Sequence, residues 1–344
     1  MADLEAGPSC GQPTGHGDGR RRVGTILARI AGLLLTSAAL FYLVRTSLES
    51  IRQTGLDRLL RFDPWLLAAS FGMLQVHLLS AAWSWKLATR VAGSRISLRQ
   101  AYAIHFVSIV GKYIPGKVWA AVGKVGLSRQ AGVRASFAGQ AVVLETLLIV
   151  AGSMIMGMPL VPRIASRLHF SPVFGLAVVG SVVGLLLVAS HPTTYRRLLG
   201  VVSRVAGRNF ACSDPGFGSV LRLLPVYLLV FSLMGVAFLL LAGSFGVRLP
   251  VFPGITLFPT AAAIGFVVLL APGGLGVSEF SLAWLMALMT SDGDPGRFAL
   301  VALASRLWLT LGELSAFGVA VSLWGGFRTL GRLLGREAGT TPSA

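Results

Sequence analysis

Charge is scarce in this chain: Asp, Glu, Lys and Arg make up only 12% of it, against roughly 25% in an ordinary soluble domain, and mean hydropathy is +0.75. That shortage excludes a soluble globular protein. Acid is scarcer than base, 13 Asp and Glu against 30 Lys and Arg, for a formal charge of +17. In a soluble chain such an excess would point to nucleic acid. Between apolar runs it marks the cytoplasmic side and attracts anionic lipid instead, so no nucleic-acid partner is expected. Cysteine is nearly absent; Cys10 and Cys212 are the two, with no CxxC or His/Cys spacing, which excludes a disulfide framework, a zinc site and an iron–sulfur cluster. No metal and no cofactor are expected. The five histidines show no HxxxH spacing, and no Ser-His-Asp or Cys-His arrangement can be traced, so no catalytic residue is assigned.

What is present is a series of long apolar runs. Residues 1–22 hold five Gly, two Pro and hardly any apolar side chain, a composition that cannot order itself. A membrane domain over 23–325 follows, and 326–344 is a short basic tail. The run from Val23 to Val44, preceded by Arg20, Arg21 and Arg22, is too long for a signal-peptide core and is read as a retained first span. Five further runs suffice to cross about 30 Å of hydrocarbon: Trp65–Lys86, Ala135–Met158, Pro172–Ser190, Leu221–Phe245 and Phe298–Leu323. The fold expected is therefore an all-α polytopic membrane protein with about six transmembrane helices.

Two apolar regions break this pattern. Arg99–Ser128 is interrupted by Gly111-Lys112-Tyr113-Ile114-Pro115-Gly116-Lys117, and Thr256–Thr290 by Ala271-Pro272-Gly273-Gly274-Leu275-Gly276. Proline removes a backbone donor and glycine permits reversal, so each region should split into two arms of about 12–15 residues. Arms that short suit re-entrant hairpins, which membranes tolerate where protein or water covers the loosened backbone. With the N-terminus inside and both hairpins re-entrant, Lys and Arg divide 17 inside to 8 outside; with single crossings they divide 13 to 12. The positive-inside rule favours two-armed regions over single crossings, with both termini cytoplasmic; two short complete spans would give the same parity, and arm length selects re-entry between them. Span, hairpin and span then occur twice with opposite entry sides, an inverted repeat of the kind found in alternating-access carriers. Pro115 and Pro272 are 157 residues apart, and the same offset carries Pro64 to Leu221.

Candidate site residues cluster at the breaks and among the few intramembrane charges. Lys112 and Lys117 flank Pro115-Gly116, with Tyr113 between and Trp119 following. The arm after Gly116 begins with unpaired N–H groups and a positive dipole end, an arrangement suited to phosphate. The bland alternative is that both lysines reach the cytoplasmic face while Pro-Gly merely turns the chain. Glu145, Arg306, Glu313 and Glu279 are expensive in hydrocarbon, roughly 2.5–3.5 kcal/mol each near the centre on insertion scales, and so should face a cavity or one another. Arg306 is expected to meet Glu279 or Glu145 across helices, either as a structural ion pair or as a substrate contact. Gly273-Gly274-Leu275-Gly276 lacks the strand and acidic residue of a dinucleotide loop.

The two breaks resemble the paired signature segments of the lysylphosphatidylglycerol synthase transmembrane-region family, also called flippase-like integral membrane proteins. The likeness is carried by Lys112-Tyr113-Ile114-Pro115-Gly116-Lys117 and by Pro272-Gly273-Gly274-Leu275-Gly276-Val277-Ser278-Glu279, in this order, over roughly residues 25–325. Family members also tend to carry an intramembrane Glu followed by Arg, and a late Arg. Glu145 and Arg306 match, while Thr146 replaces the Arg and Ile149 stands where an acidic residue is common. The resemblance implies lipid handling: in the synthases this region flips aminoacylated phosphatidylglycerol, and stand-alone relatives are linked to glycolipid, polyprenyl-phosphate sugar or hopanoid pathways. Only 21 residues follow Leu323, too few for the soluble synthase domain.

The function expected is movement of a lipid with a phosphate- or sugar-containing head group between leaflets of the plasma (inner) membrane. The substrate-binding set is Lys112, Tyr113, Pro115, Gly116, Lys117, Trp119, Glu145, Pro272, Gly273, Gly274, Gly276, Glu279 and Arg306. Alternatives are a membrane component of a lipid-linked glycosyl or aminoacyl transfer enzyme, or a scaffold for a soluble synthase. The partners expected are the lipid substrate and anionic lipid at the cytoplasmic face. Oligomeric state is not legible.

Overall fold

The computed structural model describes residues 62–109, 119–189, 216–267, 276–290 and 294–323, with isolated positions such as Gly111 besides. The expected tails at 1–22 and 326–344 lie outside this set, as do all but two residues around the expected first span. Every regular element among the described residues is helical. In chain order they are α1 (Pro64–Val91), α2 (Leu98–Ile109), α3 (Trp119–Gln130), α4 (Ala135–Gly157), α5 (Val161–Leu168), α6 (Pro172–Ala189), α7 (Phe217–Leu221), α8 (Leu224–Ser244), α9 (Val251–Val267), α10 (Val277–Met289) and α11 (Pro295–Leu323).

Among the described residues four stretches are long and apolar enough to cross a membrane: Pro64–Val91, Ala135–Leu168, Phe217–Ser244 and Pro295–Leu323. The second is longer than the expected Ala135–Met158. After α4 a single 3₁₀ turn over Met158–Leu160 carries the chain around Pro159 into α5, which ends at His169 in the left-handed conformation (φ 58°). The proline removes one backbone donor without stopping the helix, because the tighter turn absorbs it.

Local chemistry explains α1. Asp63 Oδ1 accepts from the N–H groups of Trp65 and Leu66 at 2.8 and 3.2 Å, with Pro64 at the first helical position. Its buried face repeats every four residues at Ser70, Leu74, Leu78 and Ala82, while Trp65, Val76, Leu79 and Trp83 point outward. Small and hydroxyl residues share the buried face with Leu74 and Leu78, and large apolar residues also face outward, the arrangement of a helix packed in lipid. The buried hydroxyls donate to carbonyls three residues back, Ser70 to Leu67 at 2.7 Å and Ser84 to Ala81 at 2.8 Å, so these hydroxyls are satisfied within the helix itself.

The interrupted regions split as their composition dictates. The first yields α2 and α3 of 12 residues each, about 18 Å long at 1.5 Å per residue. The second yields α9 and α10 of 17 and 13 residues. Only α9 exceeds the expected arm length. A Cβ added at Gly111 would lie 2.6 Å from the backbone nitrogen of Ala120. Glycine there lets the end of one arm touch the start of the next.

The packing repeats between two halves. When α1, α2, α3 and α4 are exchanged for α8, α9, α10 and α11, each principal helix contact of the first half has its counterpart in the second. Contacts between halves pair the same way: α2 packs on α11 as α9 packs on α4, and α1 on α11 as α8 on α4. The equivalent helices α1 and α8 lie against each other and run antiparallel. Asp63 N–H donates to the Ser244 carbonyl at 2.8 Å, and fourteen residues along α1 His77 Nδ1 meets the Val230 carbonyl at 2.9 Å. Close approach recurs on α8, where a Cβ on Gly235 would collide with the carbonyl of Ile255 on α9. The main core joins both halves through Leu74, Phe106, Phe238, Leu257, Leu285 and Trp308.

Candidate functional site

Between the halves lies a cavity of about 400 Å³. Its wall takes residues from α2, α3 and α4 and from their counterparts α9, α10 and α11, three elements from each half. Neither α1 nor α8 contributes to the wall. Most of the wall is apolar, including Ile109, Phe258, Leu282 and Leu309, but eight polar or ionisable residues face it: His105, Ser108, Lys124, Glu145, Ser278, Glu279, Ser305 and Arg306.

The four full charges form two pairs. Lys124 on α3 donates to both carboxylate oxygens of Glu145 on α4, at 2.7 and 2.6 Å. The two residues are 8% and 5% exposed. Lys124 Nζ also sits 4.5 Å from the centre of the Trp85 ring on α1, a cation–π contact in a dry setting. His105 Nδ1 lies 3.8 Å from the nearer Glu145 oxygen. On the other side Arg306 on α11 approaches Glu279 on α10 at 3.5 Å through one nitrogen. Glu279, 4% exposed, turns its second oxygen to accept from the Gly276 N–H at 2.6 Å. This is half of a capping box, with Glu279 at the third position of α10 and Gly276 before the first. Gly276 has φ 79°, which favours glycine at that turn. The four charges of the two pairs sum to zero, as a low-dielectric setting demands.

The expected set is thus brought together only in part. Glu145, Glu279 and Arg306 line the cavity, and Gly276 positions Glu279. Arg306 meets Glu279, one of its two expected partners; Glu145 has another. Trp119 does not join them: it opens α3, is 52% exposed and is not part of the cavity wall. Lys112, Tyr113, Pro115, Gly116, Lys117, Pro272, Gly273 and Gly274 lie outside the described residues. The ends that bracket the first run, Ile109 and Ala120, both line the cavity. Glu313 is buried on α11 but does not reach the cavity; it acts electrostatically on His77 of α1.

Sequence reasoning missed Lys124. Counted among inside residues, it is instead buried in an arm and is the cation of the tighter pair. The signal was there: Lys124 lies within the apolar region Arg99–Ser128, between Val122 and Val125. Removing it from the inside count leaves sixteen against eight, so the positive-inside asymmetry stands. Thr146 and Ile149 also find places: Thr146 is exposed and donates to the Val142 carbonyl at 2.8 Å, while Ile149 lines the cavity as a hydrocarbon wall.

Residues 29–312 match the lysylphosphatidylglycerol synthase TM region, a span that takes in both halves and every residue of the cavity. The chain belongs to this family. Its membership and its long apolar helices make it a multi-pass membrane protein with a lipid-related role. No curated protein matches the chain. Within the family's matched span, Glu145 and Arg306, the two intramembrane charges singled out by resemblance, stand on opposite sides of one cavity, each on the long helix that follows a hairpin.

Proposed function

We propose that this protein is a lipid flippase of the plasma (inner) membrane, moving a lipid with a phosphate- or sugar-containing head group between leaflets while its acyl chains stay in hydrocarbon. The observation that carries the reading is the cavity: polar charge pairs set in an apolar wall, at the junction of two halves whose helix packing is exchange-symmetric. Alternating access by one repeat against the other would open such a cavity to each side in turn. In this layout there are six spans, α2–α3 and α9–α10 are re-entrant hairpins, and both termini are cytoplasmic. Antiparallel packing of the equivalent helices α1 and α8 supports opposite orientation of the repeats.

Both cavity carboxylates are held by cations, so neither is placed as a general base, which favours transport over glycosyl or aminoacyl transfer chemistry. Lys112 and Lys117, between two chain ends that line the cavity, are proposed to hold the head group's phosphate on its way in. Reconstituted into vesicles, the protein should move a fluorescent phosphatidylglycerol across the bilayer. Lys112→Arg and Lys117→Arg should keep much of the rate, because an ammonium acts on phosphate through charge. The double Gln variant should lose most of it; unchanged movement would exclude the two lysines. For the layout, single-cysteine labelling in a background lacking Cys10 and Cys212 should place Arg95 and Gln130 on the cytoplasmic side and Arg248 and Asp294 outside. Opposite sides within either pair would overturn the re-entrant arrangement.

A further inference from the structure

The two charge pairs differ in how completely they are satisfied. Lys124 and Glu145 share two short hydrogen bonds and a supporting aromatic face. Arg306 has a fork of five N–H donors, yet none makes a hydrogen bond among the described residues, and its one ionic contact is at 3.5 Å. Its side chain keeps 20% exposure, and it opens on the cavity. A guanidinium in that condition is set up for a bidentate partner such as a phosphodiester, which fits its planar fork.

We propose that Arg306 is the anion-binding cation of this cavity, with Glu279 as its resident counter-ion, and that an arriving phosphodiester head group displaces Glu279 while a proton binds to it. The proposal rests on the head-group reading above and adds to it a coupling proton. The two oxygens of Glu279 have separate tasks. Oε2 is held by the Gly276 N–H, and Oε1 faces Arg306. When a phosphate oxygen takes the guanidinium, Oε1 is left as a buried negative charge without its cation, which protonation relieves. One proton from water then sits on Oε1, while Oε2 keeps its backbone hydrogen bond and Glu279 stays in place as the cap of α10.

Charge balance holds throughout. Before binding, Arg306 and Glu279 cancel; afterwards Arg306 cancels the phosphodiester and Glu279 is neutral. An anion that entered without a proton would leave the site one charge negative in a low-dielectric wall. Among the described residues Glu279 has no substitute cation in contact with it. Helix α9, packed on α10, has no ionisable residue; α11 offers Arg306 itself; across the cavity Lys124 is engaged by Glu145, with His105 beside them.

The test uses dihexanoyl phosphatidylglycerol, a soluble amphiphile with one phosphodiester charge. It is added to purified protein in weakly buffered detergent with a pH indicator, and protons taken up are divided by lipid bound, measured by calorimetry. About one proton per lipid is expected, with apparent affinity falling up to tenfold per unit rise in pH through the coupled range. Glu279→Gln should bind the lipid with no uptake and a flat pH profile, and Arg306→Gln should not bind it. Absent binding, uptake near zero in the native protein, unchanged uptake in Glu279→Gln, or binding that survives Arg306→Gln each overturns the proposal. Should Glu279→Gln fail to fold, the pH series on the native protein decides alone. The same preparation is then assayed for phosphatidylglycerol movement in vesicles. One proton per lipid without movement sinks the flippase reading and spares the coupling; movement without uptake does the reverse.

Discussion

In the first half of the molecule the cation rides on the short arm and the carboxylate on the long helix, Lys124 and Glu145; in the second half the carboxylate rides on the arm and the cation on the long helix, Glu279 and Arg306. The equivalent helices carry their charges in opposite order. The pairs also differ in tightness: two hydrogen bonds of 2.6 and 2.7 Å on one side, a single 3.5 Å contact on the other. Equivalent backbones can therefore present one pair as a fixed brace and the other as an exchangeable contact. The difference arises from side-chain geometry. An ammonium at close range saturates a carboxylate, whereas Glu279 divides its oxygens between a helix terminus and a guanidinium.

The comparison makes its largest claim about stability. Lys124→Met strands a buried carboxylate and should cost about 3–5 kcal/mol, while the double variant Lys124→Met/Glu145→Met should recover most of that. A detergent-unfolding midpoint that barely moves in the single variant would show the brace carries no load. Next comes Gly235→Ala, whose added methyl meets the Ile255 carbonyl across the α8–α9 contact; about 1–3 kcal/mol should be lost. Arg306→Gln should cost less than Lys124→Met, about 1–2 kcal/mol, because its pair is looser and borders a cavity, yet it should abolish lipid binding. Equal stability losses at Arg306 and Lys124 would erase the proposed distinction. The smallest effect belongs to Gly72→Ala on α1, where the added methyl meets nothing within 4 Å; the change should stay within about 1 kcal/mol and favour the helix.

A double-mutant cycle sharpens the same contrast. Coupling between Lys124 and Glu145 should exceed that between Arg306 and Glu279 by about 1 kcal/mol or more, since residues sharing hydrogen bonds couple most strongly. The cycle pairing Arg306 with Glu145 should give little, because each already has another partner.

Much of the fold was legible from the chain alone. Apolar runs longer than a bilayer's hydrocarbon, and Pro-Gly breaks in two of them, are local features with local consequences, so the ends of α1, α4 and α11 fall within a few residues of expectation. The continuation of α4 through Met158–Leu160 was not legible, because Pro159 usually ends a helix and only the tighter turn shows that it does not.

The site was legible by cost but not by partner. Charges in apolar runs are few and expensive, so Glu145, Glu279 and Arg306 stood out individually. Lys124 did not, because a lysine near a turn reads as an end-of-span residue until the arm's burial is known. Which cation meets which carboxylate is a matter of tertiary structure: Lys124 and Glu145 are 21 residues apart, and Glu279 and Arg306 are 27 apart. No local rule spans that distance. Composition and hydropathy determine that the chain lives in a membrane, that it breaks twice, and that a handful of charges must find shelter. Packing α2, α3 and α4 against α9, α10 and α11 alone decides that the shelter is one shared cavity, because only there do both hairpins bring their charged arms to the charged helices that follow them.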